Sequence, residues 1–330
     1  MKKDLKIRGA SEADKAQVLK LLNHVFSNQQ RIGYVRDEAY WNWKFNASVY
    51  GPSILTVAVD EGKIVGVDHL WPWEFRFKSE LLKAVQPCDT VVHTDYRGRG
   101  LFKQMRSFGL KEAEMRGYRM AFNFPNENSL PGNRSLGAKY LGKITWWVRI
   151  LKPIHLINNK LFDLKAENFT LPQEYQLDTE YLDRLSSKYE TECEYLQIHR
   201  IPGFYQWRYS HHPSRTYGML RVRVGKKETA LIFTVVQNGA SLEMVIVDHI
   251  GDMSQKGNVV LSMIQAAKYL DIDFIAVMNN KLFGLEGLWK HKFIKKKLKN
   301  MVVMPLNFQN GQGVSSFENW SLVAGLHDSI

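Results

Sequence analysis

The 330-residue chain is short of cysteine: only Cys88 and Cys193 occur, in different halves, with no Cys/His neighbours at metal-ligand spacing. A disulfide-stapled scaffold and a metal site are therefore not expected, and a reducing cytoplasm is. The N-terminal Met1-Lys2-Lys3-Asp4-Leu5-Lys6 is basic but lacks the apolar stretch of a signal peptide. No apolar run approaches the roughly 18 residues of a membrane span. Acidic residues are also in deficit, 33 Asp and Glu against 45 Lys and Arg, which leaves a formal net charge of +12. That excess favours a polyanionic partner: a nucleotide cofactor, a nucleotide-linked substrate, nucleic acid or an anionic membrane surface. Charge alone does not choose among them. The expectation is a soluble, cytoplasmic protein with no membrane span.

Hydrophobic residues make up 45% and charged residues 24% of the chain, the balance of an ordinary globular protein. The length suits two domains, each able to bury a core. Leu5–Arg8 reads as a short strand. Ser11 with Asp14 forms a helix cap before Val18, Leu19, Leu22, Val25 and Phe26 at helical spacing. A second amphipathic stretch covers Glu38–Asn46. Ile54–Val59, a turn at Glu61-Gly62 and Ile64–Val67 make a hairpin, and strand patterns continue through Trp71–Phe77 and Leu82–His93. Leu101–Arg116 reads as a helix ended by Gly117, and Tyr118–Phe124 as a further strand. This order indicates an α/β class with a mixed, mostly antiparallel sheet flanked by helices.

The second half echoes the first. Tyr40-Trp41-Asn42-Trp43-Lys44-Phe45 has a counterpart in Phe204-Tyr205-Gln206-Trp207-Arg208-Tyr209. Val245–His249, a loop ending in Gly257, the helix Val259–Leu270 and the strand Ile272–Met278 repeat the pattern of residues 85–124. Tandem domains follow, at 1–155 and 179–330, with a linker at 156–178 whose apolar residues (Ile157, Leu161, Phe162, Leu164) must pack on something.

The chemistry concentrates in Asp89-Thr90-Val91-Val92-His93-Thr94-Asp95-Tyr96-Arg97-Gly98-Arg99-Gly100-Leu101-Phe102. An apolar strand runs into alternating Gly and Arg that open a helix. Glycines permit a tight turn and close approach to a ligand, and the unpaired N–H groups of a helix start bind anions. Arg97 and Arg99 add charge beside them. Neither a Walker Gly-Lys-Ser/Thr nor a three-glycine dinucleotide pattern is present. On residues alone, the loop serves equally as a phosphate cradle or a solvated basic turn.

This stretch resembles the cofactor loop of the GNAT superfamily of N-acyltransferases, Arg/Gln-x-x-Gly-x-Gly/Ala, with Arg97 and Gly100 at the first two fixed positions and Phe102 where a small residue is usual. The resemblance covers about residues 5–150. It implies acetyl-coenzyme A, or another acyl-coenzyme A, as co-substrate. Arg97, Gly98, Arg99, Gly100, Leu101 and Phe102 would hold the pyrophosphate. Val91 and Val92 would pair with the pantetheine amides and polarise the thioester. Asn126-Glu127-Asn128-Ser129 resembles the family's Asn-x-x-Ala/Ser segment, which gives Asn126 and Ser129 a cofactor role. Leu136-Gly137 resembles the Leu-Gly-Phe that ends the next helix, with Ala138 in place of the aromatic. Asn133 stands where many members carry a tyrosine acid, and Tyr140 is only near in sequence.

Acyl transfer to an amine needs a base to take a proton from the ammonium. Asp89 and His93 are four apart on one strand, so alternation puts them on one face. They are the candidate base or substrate-orienting groups, against a purely structural role for both. The aromatics Trp41, Trp43, Phe45, Trp71 and Trp73 suit a core, with one or two lining an acceptor cleft. His211-His212 has no metal-spaced partner. Lys290–Lys299 suits an exposed strand more than a nucleic-acid surface. In the second half Asp252 replaces the double-Arg pattern, so one active site per chain is expected.

The implied activity is acyl transfer to a primary amine of a small molecule, such as an amino sugar or a nucleotide-linked amino sugar. The alternatives are a Fem-type aminoacyl-tRNA-dependent peptidyltransferase and a non-catalytic coenzyme A-sensing module. No metal or nucleic-acid partner is expected, and the sequence sets no oligomeric state.

Overall fold

The N-terminal strand pattern forms β1 (Lys6–Gly9) in the protein's computed structural model, which describes residues 5–26, 35–162, 169–189, 193–278, 288, 290–306 and 313–327. Ser11 and Asp14 close the expected capping box ahead of α1 (Lys15–Phe26), and Arg8 pairs with Asp14. The aromatic stretch becomes a short helix α2 (Glu38–Trp41), which Asp37 caps by accepting from the Tyr40 N–H. It widens into a π-helical turn, Asn42–Asn46, closed by Ala47 N–H bonding Asn42 C=O at 2.8 Å.

Three antiparallel strands follow: β2 (Ile54–Asp60), β3 (Lys63–Lys78) and β4 (Glu80–Val92). The β2–β3 turn places both Glu61 and Gly62 at positive φ, 49° and 78°. That is the twist a two-residue hairpin loop requires. After β4 the chain enters α3 (Leu101–Met115), β5 (Met120–Asn123) and α4 (Leu130–Ser135). Strand β5 lies parallel to β4, as a strand–helix–strand crossover demands.

The second half runs β6 (Lys139–Ile150), α5 (Pro153–Phe162), α6 (Thr179–Tyr189), β7 (Cys193–Ile198), β8 (Tyr217–Val224), β9 (Lys227–Asn238), β10 (Ser241–Gly251), α7 (Lys256–Tyr269), β11 (Phe274–Met278) and β12 (Ile294–Pro305). Strands β8, β9 and β10 form an antiparallel meander, and β11 joins β10 in parallel. A second π-helical turn occupies Gln206–Ser210, at the place the aromatic repeat marks. The fold class is a mixed α/β sheet flanked by helices.

The chain divides into two compact units whose bounds do not follow the tandem pattern of the sequence. The first holds Met1–Gly142, His211–Ser214 and Asn300–Asn319; the second holds Lys143–Ser210, Arg215–Lys299 and Trp320–Ile330. Within the first unit the strands are ordered β1-β2-β3-β4-β5 and then the C-terminal part of β12, where Val302–Pro305 pair antiparallel with Asn123–Met120. Within the second they run β8-β9-β10-β11 and then β6, where Trp146–Ile150 pair antiparallel with Met278–Phe274. Each unit therefore takes a sheet strand from the opposite half of the sequence. The stretch expected as a linker begins inside α5 and takes in its last seven residues; Leu164 falls outside the described residues.

Both cores follow from the patterning. In the first unit Ile54, Leu70, Val85, Leu110, Ala113 and Ala121 join α3 to the sheet. In the second, Leu231, Ile246, Val260, Met263, Ile275 and Val277 do the same for α7. Among the described residues no helix is long and apolar enough to cross a membrane.

Candidate functional site

Strand β4 carries one extra residue where Val67 and His69 of β3 face Val91 and Cys88. This bulge holds Asp89 at φ 45°, a conformation that non-glycine residues adopt only where the surroundings fix it. Beyond it, side chains alternate. Thr90 meets Asp68 and Arg106 on the α3 side, and Val92 packs with Leu101 and Met105 there. Asp89 and His93 project to the opposite side. Asp89 meets Arg36, Tyr40 and Lys44, and His93 stacks on His24 of α1 with ring centroids 5.8 Å apart.

Asp89 is buried at 7% exposure. Its Oδ2 accepts from Lys44 Nζ at 2.6 Å and from the Tyr40 hydroxyl, and its Oδ1 accepts from Arg36 at 3.1 Å. Burial by itself would raise this carboxyl. The Lys44 and Arg36 charges overcome it and hold the group well below the usual carboxylate range. The candidate base at Asp89 therefore needs correction: an anion clamped between two buried cations does not collect a proton near neutral pH. The π-helical turn is what points Lys44 inward, and neither cation had a local sequence signal. The duplicated spacing was the available clue, since Arg36 and Lys44 are eight apart, as are Arg200 and Arg208. In the second unit Asp248, beside its own bulge, likewise accepts from Arg200, at 2.6 Å, and from Tyr209.

His69 lies under the same bulge, fully buried, with Nε2 2.8 Å from Ser53 Oγ and Nδ1 3.0 Å from Cys88 Sγ. Burial lowers its pKa and keeps the ring neutral. His69, Cys88 and Asp89 each place a donor atom within 4.8 Å of the others. Lys44 and Arg36 already neutralise the carboxylate, so the trio fits an ion-pair network better than a cation cage.

At the end of β4 the chain makes a 3-10 turn, Thr94–Tyr96, pinned to β2 by Tyr96 Oη donating to Asp60 at 2.6 Å. His93 is partly exposed, and its Nδ1 accepts from the Asp95 N–H at 3.4 Å. Arg97, Gly98, Arg99 and Gly100 are all exposed. Gly98 and Gly100 hold φ 76° and 74°, which is why glycine stands there. Arg97 Nε donates back to Val92 C=O, and Arg99 donates to Asp95 C=O while lying 4.7 Å over the Tyr96 ring. Helix α3 then begins with Gly100 as N-cap, no side-chain cap and no acidic residue in its first turn. Its leading N–H groups are thus left without a side-chain cap at the end of a loop that carries two exposed arginines, an arrangement suited to a phosphorylated ligand.

Phe102, the unusual residue of this loop, lies against α4. A Cβ on Gly132 would come within 2.8 Å of its ring, so Gly132 supplies the space that Phe102 fills. Asn126 Oδ1 accepts from the backbone N–H and the hydroxyl of Ser129, bracing the start of α4. Asn133 is buried and bonds Ser129 C=O through Nδ2 at 2.8 Å. Strands β4 and β5 pair only at Ala84–Met120 and Val85–Ala121. Past those pairs they part, and a narrow cleft opens lined by Pro87, Phe122, Asn123, Asn133 and Arg106. Arg106 and its partner Asp68, fully buried beneath the split, were missed because a lone arginine in an amphipathic helix reads as surface.

The other singled-out features fall elsewhere. Tyr40, Trp43, Trp71 and Trp73 are core residues. Trp41 and Phe45 line a cavity of about 390 Å³ near the junction of β1 and β2, with Ser53, Phe108 and Glu112. His212 is buried against Trp43, at 4.3 Å between rings. Lys290, Lys292, Lys295, Lys296 and Lys299 are exposed. Asp252 caps its turn by accepting from the Ser254 N–H.

A sheet whose strands part, with the diverging strand running into a glycine-rich helix start that no side chain caps, is an arrangement suited to a phosphorylated ligand. Residues 6–140 match the family described as the acetyltransferase (GNAT) domain. Over that span the chain thus resembles the acetyltransferase (GNAT) domain, a class of enzyme that takes its acyl group from acyl-coenzyme A. No curated protein matches the sequence. Among solved structures the chain is similar to a GCN5-related N-acetyltransferase from Anabaena variabilis, with 16% identity, a TM-score of 0.62, and coverage of 92% of this chain and 73% of that one. It is also similar to a probable N-acyltransferase of Enterococcus faecalis, with 10% identity, a TM-score of 0.64, and coverage of 94% and 74%. A third similar structure is the Saccharomyces cerevisiae N-myristoyltransferase with bound myristoyl-CoA, with 11% identity, a TM-score of 0.55, and coverage of 92% and 82%. At these identities the likeness is one of fold.

Proposed function

We propose that the first unit transfers an acetyl or other acyl group from acyl-coenzyme A to a primary amine of a small molecule, and that an amino sugar or nucleotide-linked amino sugar is the acceptor class. The observation that carries the cofactor placement is the helix start at Gly100–Leu101, which no side chain caps and which follows two exposed arginines at the end of a strand that has left its neighbour. The residues fit the group: the first turn presents no carboxylate, and glycine backbone lets a pyrophosphate approach closely. When bound, the thioester supplies an activated acyl carbon.

In this reading Gly98, Gly100, Leu101 and Phe102 offer backbone to the pyrophosphate, and Arg97 and Arg99 add charge. Val91 and Val92, on the unpaired stretch of β4, bond the pantetheine amides. Asn126 keeps Nδ2 for the cofactor, and Ser129 fixes that side chain. His93 is the base; its partial exposure and its position on the acceptor side of β4 suit proton exchange with solvent. Asp89 orients Tyr40 and Lys44 rather than accepting a proton. The basic surplus of +12 supports an anionic, nucleotide-linked acceptor. The second unit has no double-arginine loop, and its Asp252 supports one active site per chain.

Calorimetric titration with acetyl-coenzyme A tests the placement. Arg97→Glu/Arg99→Glu reverses two charges beside the pyrophosphate, and the loss of charge-assisted bonds worth about 1.5 kcal/mol or more each predicts a fall in affinity of roughly tenfold or greater. Unchanged affinity refutes it. Turnover of an amine panel that includes amino sugars with and without a nucleotide tests the acceptor.

A further inference from the structure

Resting on the acyl-coenzyme A reading, we infer that Arg106 is the group that receives the departing sulfur, stabilising it as a thiolate by fixed positive charge rather than by giving it a proton. Three observations converge on it. First, the guanidinium is immobilised: Nε and Nη2 donate to the two carboxylate oxygens of Asp68 at 2.8 and 2.7 Å, and Nη2 also donates to Thr90 Oγ1 at 2.9 Å. Thr90 in turn donates to Asp68 at 2.7 Å, so the β4 bulge and the arginine are held in one network. Second, Nη1 is the nitrogen that Asp68 does not take. Among the described residues its one hydrogen-bond partner is Asn133 Oδ1, at a long 3.4 Å, at the cleft that opens where β4 and β5 part, and the guanidinium lies 5.2 Å over the Phe102 ring. Third, Arg106 is the single ionisable group among the described residues lining that cleft; the others are Pro87, Asn123, Asn133 and apolar side chains.

A carboxamide such as Asn133 has no proton to give, and a guanidinium stays protonated throughout the working pH range. The cleft therefore presents the Nη1 edge of a permanent cation, whose other edge is paired with Asp68, and no acid. The step then balances as follows. The amine lone pair attacks the thioester carbonyl carbon, the C–N bond forms, and the C–S bond breaks. The electron pair leaves on sulfur, and the ammonium proton passes to the base or to solvent. The thiolate leaves beside Nη1 and takes a proton from water after release. A thiol is acidic enough for this, and an adjacent arginine lowers its pKa further. Arg106 is 3% exposed and Asp68 fully buried, so little solvent screens the charge.

The test reads the thiol itself. Free coenzyme A is titrated on the full-length protein, and thiolate is followed by its ultraviolet absorbance. The bound thiol is expected to be at least about tenfold more acidic than in free solution, one pKa unit. The shift should vanish in Asp68→Asn/Arg106→Gln, which removes both charges together and leaves no lone buried ion. It should survive at least partly in Arg106→Lys. A normal thiol pKa in bound coenzyme A, or a shift that persists in the double variant, overturns the assignment while the cofactor reading stands. Failure of the parent protein to bind coenzyme A overturns both.

Discussion

Replacing Asp89 by asparagine separates a clamped anion from a catalytic base. The parent carboxylate accepts from Lys44 at 2.6 Å, from Arg36 at 3.1 Å and from Tyr40, with both cations buried at 1% and 5% side-chain exposure. The carboxamide of Asp89→Asn would keep the shape and remove the charge, leaving two desolvated cations each with one anionic contact fewer. Breaking a buried pair in this way costs about 3–5 kcal/mol. For a chain of this size that corresponds to a fall in melting temperature of roughly 6–20 °C. Thermal unfolding followed by circular dichroism measures the loss. Lys44→Met combined with Asp89→Asn should be less destabilising than the sum of the two single changes, because the two directly paired charges are removed together. The kcat/KM–pH profile should keep its acidic limb in Asp89→Asn, since that limb belongs to another group. If instead Asp89→Asn unfolds within about 1 kcal/mol of the parent and loses the acidic limb, Asp89 is a titrating base and the ion-pair argument fails.

His249, fully buried beside Asp248, has its pKa pushed down by burial from 6.5 to about 4. The unfolded chain then binds the extra proton first, so stability is complete above pH 6.5 and falls as pH drops toward 4, by about 3 kcal/mol from this group. Urea midpoints from pH 7 to pH 4 should fall less steeply in His249→Phe than in the parent; parallel curves refute the assignment. Gly132→Ala places a Cβ 2.8 Å from the Phe102 ring, tighter than packing allows. It should cost about 1–3 kcal/mol, and Gly132→Ala/Phe102→Leu should recover most of it in the same denaturation assay.

Much of the first unit was legible because its signals are local. The Arg97–Gly100 loop, the helix after it, the Glu61-Gly62 hairpin and the aromatic turn all follow from residues within a few positions of each other. Asp89 and His93 share a side of β4 because the bulge lies before Thr90 and leaves the later alternation intact. What escaped is long-range. Arg36 meets Asp89 across 53 residues and Arg106 meets Asp68 across 38, with no periodicity to announce either pair. Alternation identified the face of Asp89 but not the cations waiting there, and so a structural anion read as a base. The domain bounds went the same way. Hydrophobic patterning marks where strands are, and it is silent on whether a strand at residue 120 will choose a neighbour at 139 or at 302.

That choice of neighbour bears on how the protein is made. Met120–Asn123 cannot complete their pairing until Val302–Pro305 have been synthesised, although β1 to β5 are all finished by residue 123. At ribosomal speeds of about 5–20 residues per second, the split sheet waits roughly ten seconds or more with an unpaired edge. During that wait it exposes the backbone on which aggregation feeds. The first unit's sheet is thus tied to the C-terminal part of the chain, and a gene cut at the apparent repeat boundary would yield the Arg97–Gly100 loop without the strand that closes its sheet.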